Sequence, residues 1–315
     1  MRSRPGLTFI VLTLAVCLAT TPADAQAPGG NAIVPSASVV TFRSGVNLVS
    51  VAAVVRDKRG RVMRTLSGQD FVVLDGGQPR ELLNFQNTTT APASVALLVD
   101  GSGSMRIGAA HELARRISRD VLATLDTSRD TAALFSFDTR LLTLCDFTSD
   151  FTTIRAGLWD IESFGSTSLY DAIAGTSAMV ADKAFSRRAV IVLTDGADTT
   201  SEYSVDRVAW AASSIDVPVY VFAVGDGLAP SLGAGEGDAT TSPLAQLARA
   251  TGGDLFVANT PASIDAAVKR VTEELRHQYV LAFESASESG VRRLEVRTRR
   301  PELRVNSRRW YQASE

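Results

Sequence analysis

Val95–Met105 reads VALLVDGSGSM, and the fold turns on how that stretch is read. An apolar run from Val95 to Val99 leads up to Asp100, and Gly101, Ser102, Gly103 and Ser104 follow. A short, wholly apolar run bounded by glycines is the pattern of a strand buried on both faces in a parallel sheet. Such a strand has no room for a carboxylate midway, so Asp100 falls where the strand emerges at its C-terminal end. That is the edge at which open α/β sheets place their ligands. Ser102 and Ser104 follow the carboxylate at alternate positions, so three hard oxygen donors can face one point. That donor set suits Mg²⁺ or a similar cation. Met105 is expected to pack beneath the loop.

Downstream, strand and helix patterns alternate. Leu113, Ile117, Val121 and Leu125 form one apolar stripe of a helix that starts near Ala109. Ala132–Phe137 reads as a second buried strand and Leu141–Phe147 as a short edge strand. Thr152–Ser163 carries Ile154, Leu158 and Ile161 at helical spacing, and Leu169–Ala181 is a helix with small faces. Ala189–Thr194 is a third buried strand, closed by Asp195-Gly196. Val205–Ile215 reads as a helix, Val217–Val224 as a strand, and 226–242 as a long glycine-rich loop. Pro243–Ala250 and Ser263–Arg276 are helices on either side of the short strand Leu255–Ala258. This repeated alternation predicts a doubly wound, mostly parallel α/β domain over residues 93–276.

On both sides of that domain the period changes to two. Residues 39–92 hold an alternating strand at Leu48–Val55, the turn Asp57-Lys58-Arg59-Gly60, a hairpin extension at Val62–Leu66, and short strands at Phe71–Leu74 and Leu82–Phe85. Residues 277–315 are β again, with Tyr279–Phe283, an alternating run at Leu294–Thr298, and Leu303–Trp310 as its hairpin partner. Neither flank alone buries much surface. The expectation is that the C-terminal strands complete the N-terminal β unit, making the α/β domain an insertion in a small β domain.

The ends and the composition narrow the function. Residues 1–25 carry the marks of an export signal: Arg2 and Arg4, the apolar run Leu7–Ala19, and the cleavage pattern Ala23-Asp24-Ala25. Residues 26–38 are a flexible lead. The apolar run is too short to span a bilayer comfortably, so the mature chain is expected to have no membrane span. Cys17 lies inside that run after Val16, which argues against lipidation. Cleavage leaves Cys145 alone, read as a buried apolar residue with no disulfide. His111 and His277 lack metal-ligand spacing, which argues against zinc. The net charge of −2 and an exported context exclude nucleic acid as the expected partner. Eight arginines crowd residues 291–310, and two readings stay open: a solvated, edge-protecting strand face, or a basic patch for an acidic polymer or partner. Trp159, Trp210 and Trp310 read as core or interface packing.

The set Asp100-x-Ser102-x-Ser104, then Thr167 in the loop Gly165-Ser166-Thr167, then Thr194-Asp195-Gly196 after a strand resembles the metal-ion-dependent adhesion site of von Willebrand factor type A domains. All five ligand positions match. The flanks, VVRDKRGRVMRTLSGQDFVVLDGG at 54–77 and the tail from RHQYVLAFES to VNSRRWYQ, resemble the VWFA-related family described from acidobacterial proteins. The resemblance implies that Ser102, Ser104 and Thr167 bind a cation through their hydroxyls. Asp100 and Asp195 would bind it directly or through water. The cation would be Mg²⁺, or Mn²⁺ or Ca²⁺, with one position left for an acidic residue of a protein partner.

Catalytic rivals find little support. There is no Gly-x-Ser-x-Gly elbow, no Gly-Lys-Ser/Thr phosphate loop and no histidine placed for a triad. No general base accompanies Asp100 and Asp195, so an enzyme is not expected. The sequence therefore predicts an exported, periplasmic, cell-envelope or secreted, metal-dependent protein-binding module of adhesion type. The alternative is a structural or assembly component of the envelope in which the metal only stabilises the loops.

Overall fold

The computed structural model describes residues 47–87, 90–183, 187–196, 198–214, 216–225, 242–286 and 289–313. The export signal, the lead at 26–38 and nearly all of the glycine-rich segment 226–242 lie outside the described residues. In chain order the strands and helices are β1 (Leu48–Arg56), β2 (Phe71–Asp75), β3 (Gln78–Arg80), β4 (Leu82–Asn87), β5 (Ala93–Asp100), α1 (Ala110–Thr124), β6 (Thr131–Phe137) and β7 (Leu141–Thr148). Then come α2 (Phe151–Gly157), α3 (Leu169–Ala181), β8 (Arg187–Thr194), α4 (Val205–Ser214), β9 (Val219–Ala223), α5 (Pro243–Ala250), β10 (Leu255–Val257) and α6 (Pro261–Arg276). β11 (Tyr279–Glu284), β12 (Gly290–Thr298), β13 (Arg304–Ser307) and β14 (Trp310–Ala313) close the chain. Among the described residues no helix is long and apolar enough to cross a membrane.

β5 lies near the middle of a six-stranded sheet ordered β10-β9-β8-β5-β6-β7, parallel throughout except for the antiparallel edge strand β7. Every residue of β5 is buried, because helices cover both faces. Val95, Leu97 and Val99 pack with α1, α2 and α6 through Ile117, Val121, Ile154, Ile264 and Val271. Ala96 and Leu98 pack on the other face with α3, α4 and α5 through Ile173, Val208 and Leu247. The start of β5 is held by Asp130, which accepts the Ala93 N–H at 3.0 Å and pairs with Arg276 of α6.

The flanking strands form two further sheets, ordered β13-β1-β11-β4 and β14-β12-β2-β3. Each mixes strands from before and after the α/β domain. β1 lies between β11 and β13, and β12 pairs with β2. Period-2 alternation turns Val51, Ala53, Val55, Phe71, Val73, Leu281, Phe283, Leu294 and Val296 into the core between these sheets. Phe71, Phe85 and Tyr279 meet there with ring centroids 5.2 to 5.9 Å apart.

Several local expectations are corrected. The helix expected over Thr152–Ser163 ends at Gly157, where α2 comes so close to β6 that a Cβ would lie 3.1 Å from Leu134 Cδ2. Ile161 is buried, but in the loop beyond. Val62–Leu66 is not a strand; a single bridge joins Arg56 and Val62. Leu303–Trp310 is not one hairpin partner. It divides at Arg308, and β13 joins β1 while β14 joins β12. The tryptophans are not core residues, and Trp159 is 61% exposed beneath the Arg115 guanidinium. Cys145 is only half-buried, on the edge strand.

Most of the tail arginines are engaged within the fold. Arg292 pairs with Asp75, Arg297 with Glu295 and Arg300 with Asp70. Arg308 is buried and joins the α/β domain to the β sheets. Its Nη1 donates to Ser213 O at 3.1 Å and Ser214 O at 2.9 Å, at the C-terminal end of α4. Its Nη2 donates to Ser50 O of β1, and its Nε lies 3.3 Å from Asp216. A second tie is the buried pair of Arg56 in β1 with Glu274 in α6, at 2.8 Å. Removing one partner of such a buried network strands the other polar groups. Arg308→Ala is therefore expected to lower stability by about 3 kcal/mol. Chemical denaturation measures this, and a loss near zero would show that Arg308 does not hold the two parts together.

Candidate metal centre

The site is assembled at the C-terminal edge of the six-stranded sheet. β5 delivers Asp100 fully buried, because the strand is apolar up to that residue and water first becomes available beyond it. Gly101 turns the chain in a crowded space. Its N–H donates to Phe137 O at 2.7 Å and its carbonyl accepts from Phe164 N at 2.8 Å. A Cβ there would lie 3.2 Å from Glu162 O and 3.3 Å from Phe137 O. Ser102 is extended and precedes a 3-10 turn, Gly103–Arg106, with Met105 completely buried underneath.

Four of the five residues predicted from sequence join one hydrogen-bonded chain. Asp100 Oδ1 accepts from the Ser102 backbone N–H at 2.8 Å. The Ser102 and Ser104 hydroxyls are 2.9 Å apart, and Ser104 Oγ donates to Asp195 Oδ1 at 2.9 Å. Asp195 reaches this point because β8 runs parallel to β5 and ends one residue earlier, at Thr194. Thr167 is buried in the adjoining loop, which is tied to the first by Gly103 N donating to Gly165 O at 3.2 Å. Among the described residues its hydroxyl makes no hydrogen bond to the other four.

Sequence reading missed residues that hold this arrangement. Thr194 Oγ1 donates to Asp100 Oδ2 at 2.5 Å, fixing the carboxylate from the neighbouring strand. Thr199 locks the Thr167 loop: its Oγ1 accepts from Thr167 N at 2.9 Å and its N–H donates to Thr167 O at 2.8 Å. Asp198 caps α3 by accepting from Leu169 N at 2.8 Å, and Asp171 accepts the N–H groups of Glu202 and Tyr203. The available signal was the hydroxyl- and acid-rich run Asp198-Thr199-Thr200-Ser201 directly after the strand.

Electrostatics favours a cation here. Burial pushes the Asp100 carboxyl up to about 6, and the like charge of Asp195 adds to the rise, against hydrogen bonds from Thr194 and Ser102. Burial also raises Asp195. Among the leading causes of the Asp100 shift, the one that comes from another charged side chain is the like charge of Asp195. Two carboxylates and three hydroxyls are hard, oxygen-only donors, the set that suits Mg²⁺, Mn²⁺ or Ca²⁺. Among the described residues no group of three His, Cys, Asp or Glu lies close enough to hold a metal ion.

The sign of the linkage follows. With its carboxyl raised in the folded state, Asp100 favours folding fully below the unfolded value of about 4, and that contribution is lost as pH rises through about 6. Without divalent cations, Asp100→Asn is therefore expected to stabilise the protein at pH 7.5 by about 1–3 kcal/mol and to have little effect at pH 4. Thermal unfolding in EDTA at both pH values checks this, and equal effects at the two would overturn it.

Residues 95–197 match the family model of the von Willebrand factor type A domain. Solved structures similar to the chain include BatB from Bacteroides thetaiotaomicron, a conserved hypothetical protein, at 22% identity over 58% of this chain and 98% of that one, TM-score 0.45. A von Willebrand factor type A structure from Catenulispora acidiphila matches at 12% identity over 86% of this chain and 74% of that one, TM-score 0.49. The vWF domain of the type V pili tip protein Mfa5 from Porphyromonas gingivalis matches at 13% identity over 58% and 95%, TM-score 0.43. No curated protein matches the chain.

Proposed function

We propose that this protein, which carries a von Willebrand factor type A domain at residues 95–197, is a cation-dependent protein-binding module that works outside the cytoplasm. One observation carries the reading. Two carboxylates, one fully buried and its partner half-buried, are held by hydroxyls at the ligand edge of the sheet, and each burdens the other with like charge. Asp100, Ser102, Ser104, Thr167 and Asp195 would hold the cation. When bound, it would supply an electrophilic centre with a position open to a carboxylate of a protein partner.

The protein's own groups support binding rather than catalysis. His111 lies in α1 and His277 just past α6, and neither hydrogen-bonds to any of the five residues. Among the described residues no histidine, lysine or cysteine hydrogen-bonds to Ser102 or Ser104, and the carboxylate that accepts from Ser104, Asp195, is one this reading assigns to the cation. The pattern at residues 1–25 is the support for export. The alternative, a cation that only stiffens the loops of an envelope component, is weaker because those loops are already tied. Gly103 to Gly165 and Thr167 to Thr199 are joined by the protein's own hydrogen bonds.

The test is a titration of Mg²⁺, Mn²⁺ and Ca²⁺ into EDTA-stripped protein, followed by thermal unfolding. At a hundredfold excess over Kd the expected stabilisation is about 2.7 kcal/mol. Asp195→Ala, a half-buried position, is expected to abolish it in a protein that still unfolds cooperatively. No shift at millimolar cation would sink the proposal.

A further inference from the structure

The edge that carries the candidate centre also carries large apolar side chains left in water. Ile107 is 76% exposed and Phe164 is 59% exposed. Neither is loosely attached. Ile107 lies three residues past Ser104, and its N–H donates to Ser104 O at 2.9 Å. Phe164 lies three residues before Thr167, and its N–H donates to Gly101 O at 2.8 Å. Arg106 joins the two: it precedes Ile107 in the chain, and its guanidinium lies over the Phe164 ring, 5.6 Å from the centroid. Arg106 is exposed and forms no ion pair with a described residue.

These three side chains have no part in the core. Met105, next to Arg106 in the chain, is the residue that packs beneath the loop. Exposed bulky apolar groups beside a polar, charge-binding point mark an interaction surface. Aromatic residues and arginine are the types enriched where protein partners dock. The positive charge of Arg106 selects for acidic partners, in the same sense as a cation held by the neighbouring carboxylates.

We infer that Arg106, Ile107 and Phe164 form the specificity rim of the site, and that the occupant is a protein segment in which an acidic residue adjoins a bulky apolar one. The inference rests on the cation reading, which supplies the anchor for the acidic group. Ile107 and Phe164 would cover the apolar side chain. Arg106, whose guanidinium lies over the Phe164 ring, would face a second carboxylate of the same segment.

The experiment is selection of a displayed random dodecapeptide library on the purified chain in Mg²⁺, with elution by EDTA. The expected result is a set of peptides with Asp or Glu next to Leu, Ile, Phe or Met. Their affinity should fall about tenfold or more for I107S/F164S. Both positions are exposed, so this variant should keep the cation-dependent thermal shift of the parent. R106E should weaken most the peptides that carry a second acid. EDTA-eluted peptides with no apolar neighbour, or peptides bound equally by I107S/F164S, would overturn the rim while leaving the cation reading intact. The same holds for a clear cation-dependent shift with no EDTA-eluted peptide at all. Loss of both the shift and the peptides would instead be the failure of the cation reading beneath it.

Discussion

Water is absent from both faces of β5 and returns only beyond its last residue. A carboxylate placed at that boundary keeps too little solvent to ionise freely, and burial raises Asp100 for that reason. The neighbouring groups divide the cost. Thr194 and the Ser102 N–H each take one oxygen of Asp100, and the serine hydroxyls pass the network on to Asp195. The same parallel arrangement that buries the strand brings β8 to an end beside it, so a second, half-buried carboxylate arrives just beyond the first. The helices on both faces thus set the electrostatics of the edge. The loops hold the outcome in place through backbone hydrogen bonds.

The β sheets depend on the α/β domain in a different way. Their strands come from two segments of chain that the domain separates, so its ends must present β1 and β11 at pairing distance. Buried charge fixes the join. Arg308 closes the carbonyl end of α4, and Arg56 neutralises Glu274 on α6, whose side chain is fully buried. Breaking such pairs costs more than forming them contributes.

Much of this was legible in the sequence for definite reasons. A short, uninterrupted apolar run bounded by glycine or a carboxylate fits a strand with two covered faces, so β5 and β8 and the carboxylates at their C-terminal ends followed from run length and flanks. α3 and α5 fall at the predicted residues because small or amphipathic faces and a proline start leave little choice. Thr194 was not legible as a site residue. Inside AVIVLT it reads as a β-branched strand position, and only the third dimension sets it against Asp100. The end of α2 was hidden because Ile154, Leu158 and Ile161 keep helical spacing while Gly157 meets β6. The division of 303–310 was hidden because it depends on where Arg308 finds carbonyls on α4, far away in sequence.

The interleaving of the two β sheets also sets an order of events. β1 carries Val51, Ala53 and Val55 early in the chain, yet its neighbours are residues 279–284 and 304–307. Some two hundred residues must be made in between, and the α/β domain, with its own complete core, can close first. Until then the N-terminal strands are apolar edges without a sheet, the state most prone to pair with another chain. Synthesis of this protein therefore leaves a fixed interval of vulnerability. It ends only when the last two strands arrive.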